Sequence, residues 1–108
     1  MNPWEIWTWN FPDAGSHPAV ILSTPERIKF KPRISLLLCS TQRATRKAEA
    51  HEVILDEADG LHWETLCKCD LVYAVSRSEL RERRGTVSPE RRRAIAERVI
   101  RGLGLAGL

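Results

Sequence analysis

Lys68 and Asp70 are separated only by Cys69, inside a run of strand character. At the two-residue period of a strand, the ammonium and the carboxylate fall on one side of the chain. Such a pair can engage one phosphodiester together, with the cation on the phosphate and the carboxylate on a proton to be removed. The plain alternative is an ion pair on a solvated strand face, which adds little to stability. Ser40 and Thr41 bring two hydroxyls to the end of an apolar run, where they serve either phosphate chemistry or an ordinary turn. His17, in Gly15-Ser16-His17-Pro18, adds an imidazole that titrates near neutral pH, or else a surface histidine in a loop. Cleavage of RNA without a metal asks for these side-chain types. One group must take the ribose 2′-hydroxyl proton, a cation must sit beside the phosphate, and an acid must serve the leaving oxygen.

The elements that must position these groups are read from periodicity. Residues 4–11 alternate as a strand, with Glu5, Trp7, Trp9 and Phe11 on one face and Ile6, Thr8 and Asn10 on the other. Pro12 to Ser16 reads as a turn, and 19–23 and 34–41 are apolar runs of strand length that predict the core strands. A polar, basic loop over about 42–50 leads to a strand at 51–56. Asp59-Gly60 marks a turn, and 64–75 forms one longer or bent strand. Ser76 caps a short helical turn reaching Arg81. Ser88 and Pro89 supply an N-cap and an N1 proline for a final helix, in which Ile95, Ala96, Val99, Ile100 and Leu103 repeat at helical spacing and Gly102 or Gly104 ends the run. The expected fold class is mainly β with a C-terminal α-helix: a small curled sheet or barrel with the helix packed across it.

The 108 residues suit one domain over 1–108 with one modest core, too small for two catalytic domains. A hydrophobic share of 43% beside 29% charged residues predicts a folded chain. No segment approaches the roughly 20 apolar residues of a membrane span. Met1-Asn2-Pro3-Trp4 offers neither a basic n-region nor an apolar h-region, so the expected location is cytoplasmic. The net charge of +3 conceals basic clusters at 27–33, 43–47 and 77–101, which suit a polyanionic partner as well as a solvated surface. Cys39, Cys67 and Cys69 are read as reduced, since a bridge between Cys67 and Cys69 would be strained. His51 and His62 do not complete a zinc pattern with the Cys-x-Cys, so neither metal nor cofactor is expected.

The ordered pieces Glu5-Ile6-Trp7, His17-Pro18-Ala19-Val20-Ile21-Leu22, Cys39-Ser40-Thr41-Gln42, Lys68-Cys69-Asp70 and Arg84-Gly85-Thr86-Val87-Ser88-Pro89-Glu90 span nearly the whole chain. Together they resemble the MazF/PemK/Kid toxin endoribonucleases of type II toxin–antitoxin pairs. The resemblance implies an SH3-like small β-barrel of the PemK/CcdB type. It also implies metal-independent cleavage of single-stranded mRNA by 2′-hydroxyl attack, a homodimer and a cognate antitoxin. Lys68-Cys69-Asp70 resembles the Arg-Cys-Asp of the Kid branch, which implies Asp70 as base and Lys68 as acid and phosphate contact. Lysine lacks arginine's planar two-point grip. Cys39-Ser40-Thr41-Gln42 resembles Cys-Thr-Thr-Gln at a strand end, which implies Ser40 against the scissile phosphate. The catalytic set so implied is His17, Ser40, Lys68 and Asp70, and the substrate-binding set is Glu5, Thr41, Gln42 and Arg43.

The first loop departs from the family pattern. Members carry Gly-Ser-Glu-Gln-Gly-Gly-x-Arg-Pro or a close variant, whereas this chain has the shorter Gly15-Ser16-His17-Pro18. His17 then either replaces that arginine or corresponds to the loop histidine of the Kid branch. The departure leaves two further functions open: a nucleic-acid-binding module without catalysis, and a gyrase-directed inhibitor of the CcdB type.

Overall fold

The computed structural model describes residues 1–41, the last by its backbone alone, and 47–108. Six strands, β1 (Glu5–Phe11), β2 (Gly15–Ile21), β3 (Arg33–Thr41), β4 (Glu52–Leu55), β5 (Thr65–Ser76) and β6 (Arg81–Thr86), form one antiparallel sheet in the order β4-β5-β3-β2-β1-β6. Two helices join them: α1 (Pro25–Phe30) and α2 (Pro89–Gly102). The expected mainly-β fold with a C-terminal helix is present. The sheet curls, and β4 and β6 are its two edges.

Alternation along the strands splits the apolar residues between two faces. Ile6, Val20, Leu37, Cys39, Val53, Leu55 and Cys67 pack on one face with Ile95 of α2. Phe11, Ala19, Ile21, Ile34, Leu36 and Val75 pack on the other with Ile28 of α1, flanked by Trp7, Trp9, Leu38 and Tyr73. The alternation expected for 4–11 is thus realised, with Ile6 in one cluster and Trp7, Trp9 and Phe11 in the other. Phe11, Trp9 and Tyr73 meet edge to face, with centroids 4.6 to 5.8 Å apart. All three cysteines are free and buried.

Two elements differ from expectation. Helix α1 occupies a stretch read only as a basic cluster; Thr24 caps it by accepting the Arg27 N–H at 3.2 Å, and Pro25 opens its first turn. Strand β6 follows a 3-10 turn at Arg77–Glu79, so the short helical turn expected to reach Arg81 ends two residues sooner. Ser88 does occupy the N-cap of α2, but its hydroxyl makes no capping bond; its N–H donates to Asp59 Oδ1 at 2.8 Å. The expected polar loop falls at 42–46 outside the described residues.

The curl is closed at one seam. After β4, a 3-10 turn at Glu57–Asp59 ends on Gly60, whose φ of 88° is a left-handed cap that glycine adopts freely. That turn lies against β6. A Cβ on Gly85 would collide with the Asp59 carbonyl oxygen, and one on Gly60 would stand 3.1 Å from Gly85 Cα. The Asp59 side chain, fully buried, accepts the Asp56 N–H at 3.0 Å, the Ser88 N–H at 2.8 Å and Arg91 Nη1 at 2.5 Å. Arg91 also donates to both oxygens of Asp56, at 2.6 and 3.1 Å. The two sheet edges and the start of α2 are therefore tied by one guanidinium and two carboxylates.

Among the described residues no helix is long and apolar enough to cross a membrane.

Asp59→Ala leaves the Asp56 and Ser88 N–H groups without their acceptor and Arg91 with Asp56 alone, and is expected to cost about 3–5 kcal/mol in urea unfolding. Gly85→Ala is expected to cost about 1–3 kcal/mol by overpacking in the same assay. Hydrogen bonds from Arg91, then from the Ala58 amide, hold the Asp56 carboxyl below its ordinary value. A carboxyl so depressed adds stability that is whole above its unfolded value of about 3.9 and is lost as pH falls through the lower folded value. Urea midpoints should therefore fall across that acid window in the wild type, with a flatter acid limb in Arg91→Met.

Candidate functional site

The expected bend in β5 lies where the chemistry-bearing residues sit. Leu37 pairs with Val72 and Cys39 with Cys67, so β5 carries Lys68 to Leu71 where β3 carries only Leu38. The surplus bulges out of the ladder, which re-aims side chains and bends the strand. Before the bulge, β5 pairs with β4 as well, Glu52 opposite Lys68, and the Cys69 N–H donates to the His51 carbonyl at 2.9 Å.

Lys68 and Asp70 therefore engage consecutive residues of one short segment. Lys68 Nζ stands 3.1 Å from Glu52 Oε2, and the Glu52 side chain is wholly buried while its other oxygen accepts the Glu49 N–H at 2.8 Å. A buried carboxylate requires such partners, and Lys68 is consequently a fixed positive charge. Asp70, half-exposed, has Oδ2 3.8 Å from His51 Nε2, and His51 Nδ1 lies 3.7 Å from Glu49 Oε2. The last turn of α2 is seated on Asp70: a Cβ on Gly102 would come within 2.9 Å of Asp70 Cα and 3.3 Å of its Cβ. Any larger residue at 102 must lift the helix or push the aspartate.

Ser40 pairs with Leu66, and Lys68 follows Leu66 at strand period, so Ser40 shares a face with Lys68 and Glu52. Cys39 and Cys67 point the opposite way, into the core beneath α2. Hydrogen bonding with Cys39 and Cys69, then burial, pushes the Cys67 thiol well above its ordinary value, which makes it core packing and not a nucleophile.

His17 lies on β2, opposite Trp9, with Nε2 2.9 Å from the Ala14 carbonyl oxygen and its ring 6.4 Å from that of Phe11. Its link to Ser40 is indirect. The β2–β3 pairs run from Ala19–Leu38 to Ile21–Leu36, and Pro18, which has no N–H to give, lies at the end nearer His17. Two residues beyond the Ala19–Leu38 pair stand His17 on one strand and Ser40 on the other.

Glu5 is nearly buried, and its Oε1 accepts the Trp7 indole N–H at 3.0 Å and the Asn2 N–H at 2.9 Å, with Arg83 3.4 Å from Oε2. Burial pushes its carboxyl up, yet the Trp7 and Asn2 hydrogen bonds and the Arg83 charge outweigh that and hold it below its ordinary value. Glu5 thus anchors the Trp7 indole. Of the remaining expected substrate contacts, the side chain of Thr41 and all of Gln42 and Arg43 lie outside the described residues.

Three residues of the cluster, Glu49, His51 and Glu52, have no counterpart in the motif reading. Their donor atoms lie within 4.8 Å of one another, a spacing that invites a metal ion. The donor set does not fit one, because the Lys68 ammonium already stands on the Glu52 carboxylate where a cation would sit. The sequence offered one signal, a glutamate and a histidine beginning a strand whose next residues are apolar.

Comparison with known proteins fits this geometry to a family. The model for the PemK-like, MazF-like toxin of type II toxin–antitoxin systems matches residues 2–103. A mycobacterial endoribonuclease solved in complex with its cognate antitoxin superposes with a TM-score of 0.83 at 19% identity, over 100% of this chain and 99% of its own. The Mycobacterium tuberculosis toxin MazF-mt6 gives 0.80 at 20% identity, over 94% and 97%. A chain of the Deinococcus radiodurans MazE-MazF crystal structure gives 0.76 at 19%, over 98% and 97%. No curated protein sequence shows a significant match. With the family model covering almost its entire length, and the same fold in these relatives, the chain belongs to the PemK-like, MazF-like toxins of type II toxin–antitoxin systems.

Proposed function

We propose that the protein is a metal-independent endoribonuclease that cleaves single-stranded RNA by attack of a ribose 2′-hydroxyl on the adjacent phosphate, leaving a cyclic phosphate and a free 5′-hydroxyl. The observation that carries the reading is the Lys68–Asp70 bulge of β5, a fixed cation and an exposed carboxylate beside the Ser40 strand end, in a chain of this family. Asp70 takes the 2′ proton. Lys68, held by Glu52, holds the phosphate, and the Ser40 hydroxyl donates to a phosphate oxygen. Thr41, Gln42 and Arg43 continue the substrate contact along the strand end, and Glu5 contributes through the Trp7 indole it anchors. The active form is a homodimer, and its activity is held in check by a cognate antitoxin, as the antitoxin-bound relative supports. The location is cytoplasmic.

A second reading, RNA binding without cleavage, is favoured by one observation. The β1–β2 turn is short, and His17 is hydrogen-bonded to its own turn at Ala14. Salt-sensitive binding without product would select it.

Incubated in EDTA with a long RNA of mixed sequence, the purified protein is expected to give defined cuts with cyclic-phosphate ends, and Asp70→Asn to slow them by about 10²–10⁴. Intact RNA with folded wild type overturns the reading. Lys68→Met should cost stability as well as activity, about 3–5 kcal/mol, because it takes the ammonium away from the buried Glu52 carboxylate. Lys68→Met combined with Glu52→Gln should recover most of that stability in urea unfolding and none of the cleavage.

A further inference from the structure

The 2′-hydroxyl reaction needs a proton for the leaving 5′ oxygen, and the Lys68 ammonium is already bonded to Glu52. Beside it stands an imidazole that no motif singled out. His51 is pinned by its backbone to the β5 bulge through the Cys69 N–H, so its main chain is held in place independently of its side-chain chemistry. Its two nitrogens face carboxylates on both sides, Asp70 at 3.8 Å and Glu49 at 3.7 Å. Both separations exceed a hydrogen bond, so neither of these carboxylates holds a ring nitrogen and a substrate oxygen can take that place from the exposed side. About a third of the side chain is exposed, so RNA can reach it.

We propose that His51 is the general acid of the cleavage, working with Asp70 as a base–acid pair that resets itself. The inference rests on the endoribonuclease reading. In the forward step the 2′-hydroxyl proton passes to the Asp70 carboxylate and the 2′ oxygen bonds to phosphorus. The bond from phosphorus to the 5′ oxygen breaks, and that oxygen takes the proton of the His51 imidazolium. The products are a cyclic phosphate and a 5′-hydroxyl, with Asp70 protonated and His51 neutral. Return of the Asp70 proton to the neighbouring His51 through solvent restores both groups, with no net change in the protein. Among the described residues, the charged groups facing the imidazole are Glu49 from its own segment and Asp70 from β5. The Glu52–Lys68 pair adjoins it, and Arg98 of α2 acts on the neighbouring Cys69. Histidine is the side chain best suited to carry a proton in both directions near neutral pH. His17, on β2 and bonded to its own turn, is separated from Asp70 by β3.

The test uses the leaving group. Cleavage sites are first mapped with wild type on mixed-sequence RNA, and a short RNA is then made with a sulfur in place of the bridging 5′ oxygen at one such site. A thiolate departs without an acid. His51→Ala and His51→Gln are expected to cut the oxygen substrate about 10²–10⁴ slower than wild type and the sulfur substrate at close to the wild-type rate. Asp70→Asn should be slow on both. His51 variants that match wild type on the oxygen substrate, or that are equally slow on both substrates, overturn the assignment and leave the ribonuclease reading standing. Wild type that cuts no RNA overturns that reading, and the inference with it.

Discussion

The structure depends on the packing of one turn against one strand, with Asp59 beneath it. A six-stranded sheet with two free edges has no intrinsic reason to stay curled, because the antiparallel ladder is satisfied at any curvature the bulges allow. Here the turn after β4 reaches the opposite edge and touches β6 where neither Gly60 nor Gly85 carries a side chain. The Asp59 carboxylate then gathers three donors from three places: its own turn, the chain leaving β6 and the first turn of α2. None of these is strong alone against water. Buried together, each would be costly to lose.

Helix α2 carries the effect of that seam to the far side of the molecule. It starts at Ser88, bound to Asp59, and ends at Gly102, seated on Asp70. At 1.5 Å per residue its length is on the order of 20 Å. Ile95, midway, fixes its rotation over the core shared with Cys39 and Cys67. The other sheet face holds its own apolar cluster of Phe11, Ile21, Leu36 and Val75, and beside it lie Ser40, Glu52 and Lys68. One face therefore carries the strut, and the other presents polar groups at the strand ends.

Much of this was legible in the sequence, for identifiable reasons. The Trp-rich alternation of β1, the apolar run of β3 and the Ser-Pro-Glu start of α2 each carry a local signal that tertiary packing does not overrule. Thr24-Pro25-Glu26 carries the same signal as Ser88-Pro89-Glu90, but its helix buries one residue, Ile28, in six, too few to set up a period. Strand β6, Arg-Glu-Arg-Arg-Gly-Thr, contains no apolar residue, since its place at an edge is decided by β1 and the seam. In the candidate site, Ser40, Lys68 and Asp70 stood out through resemblance. Glu52 and His51 did not, because Lys68 meets Glu52 sixteen residues away only through the β4–β5 register, and a glutamate is ordinarily taken as solvated.

Proline 18 carries a mechanical consequence. Between β2 and β3 the paired residues stop at Ala19 and Leu38, and beyond that point the two strand ends, bearing His17 and Ser40, run on without pairing to each other, each held by its outer neighbour, β1 or β5. They resemble the tines of a fork whose handle is the zipped part of the sheet. Spreading the tines breaks no β2–β3 pair, provided β1 moves with one tine and β5 with the other. The molecule thus combines a hoop tied at one seam with one mouth left unzipped between β2 and β3.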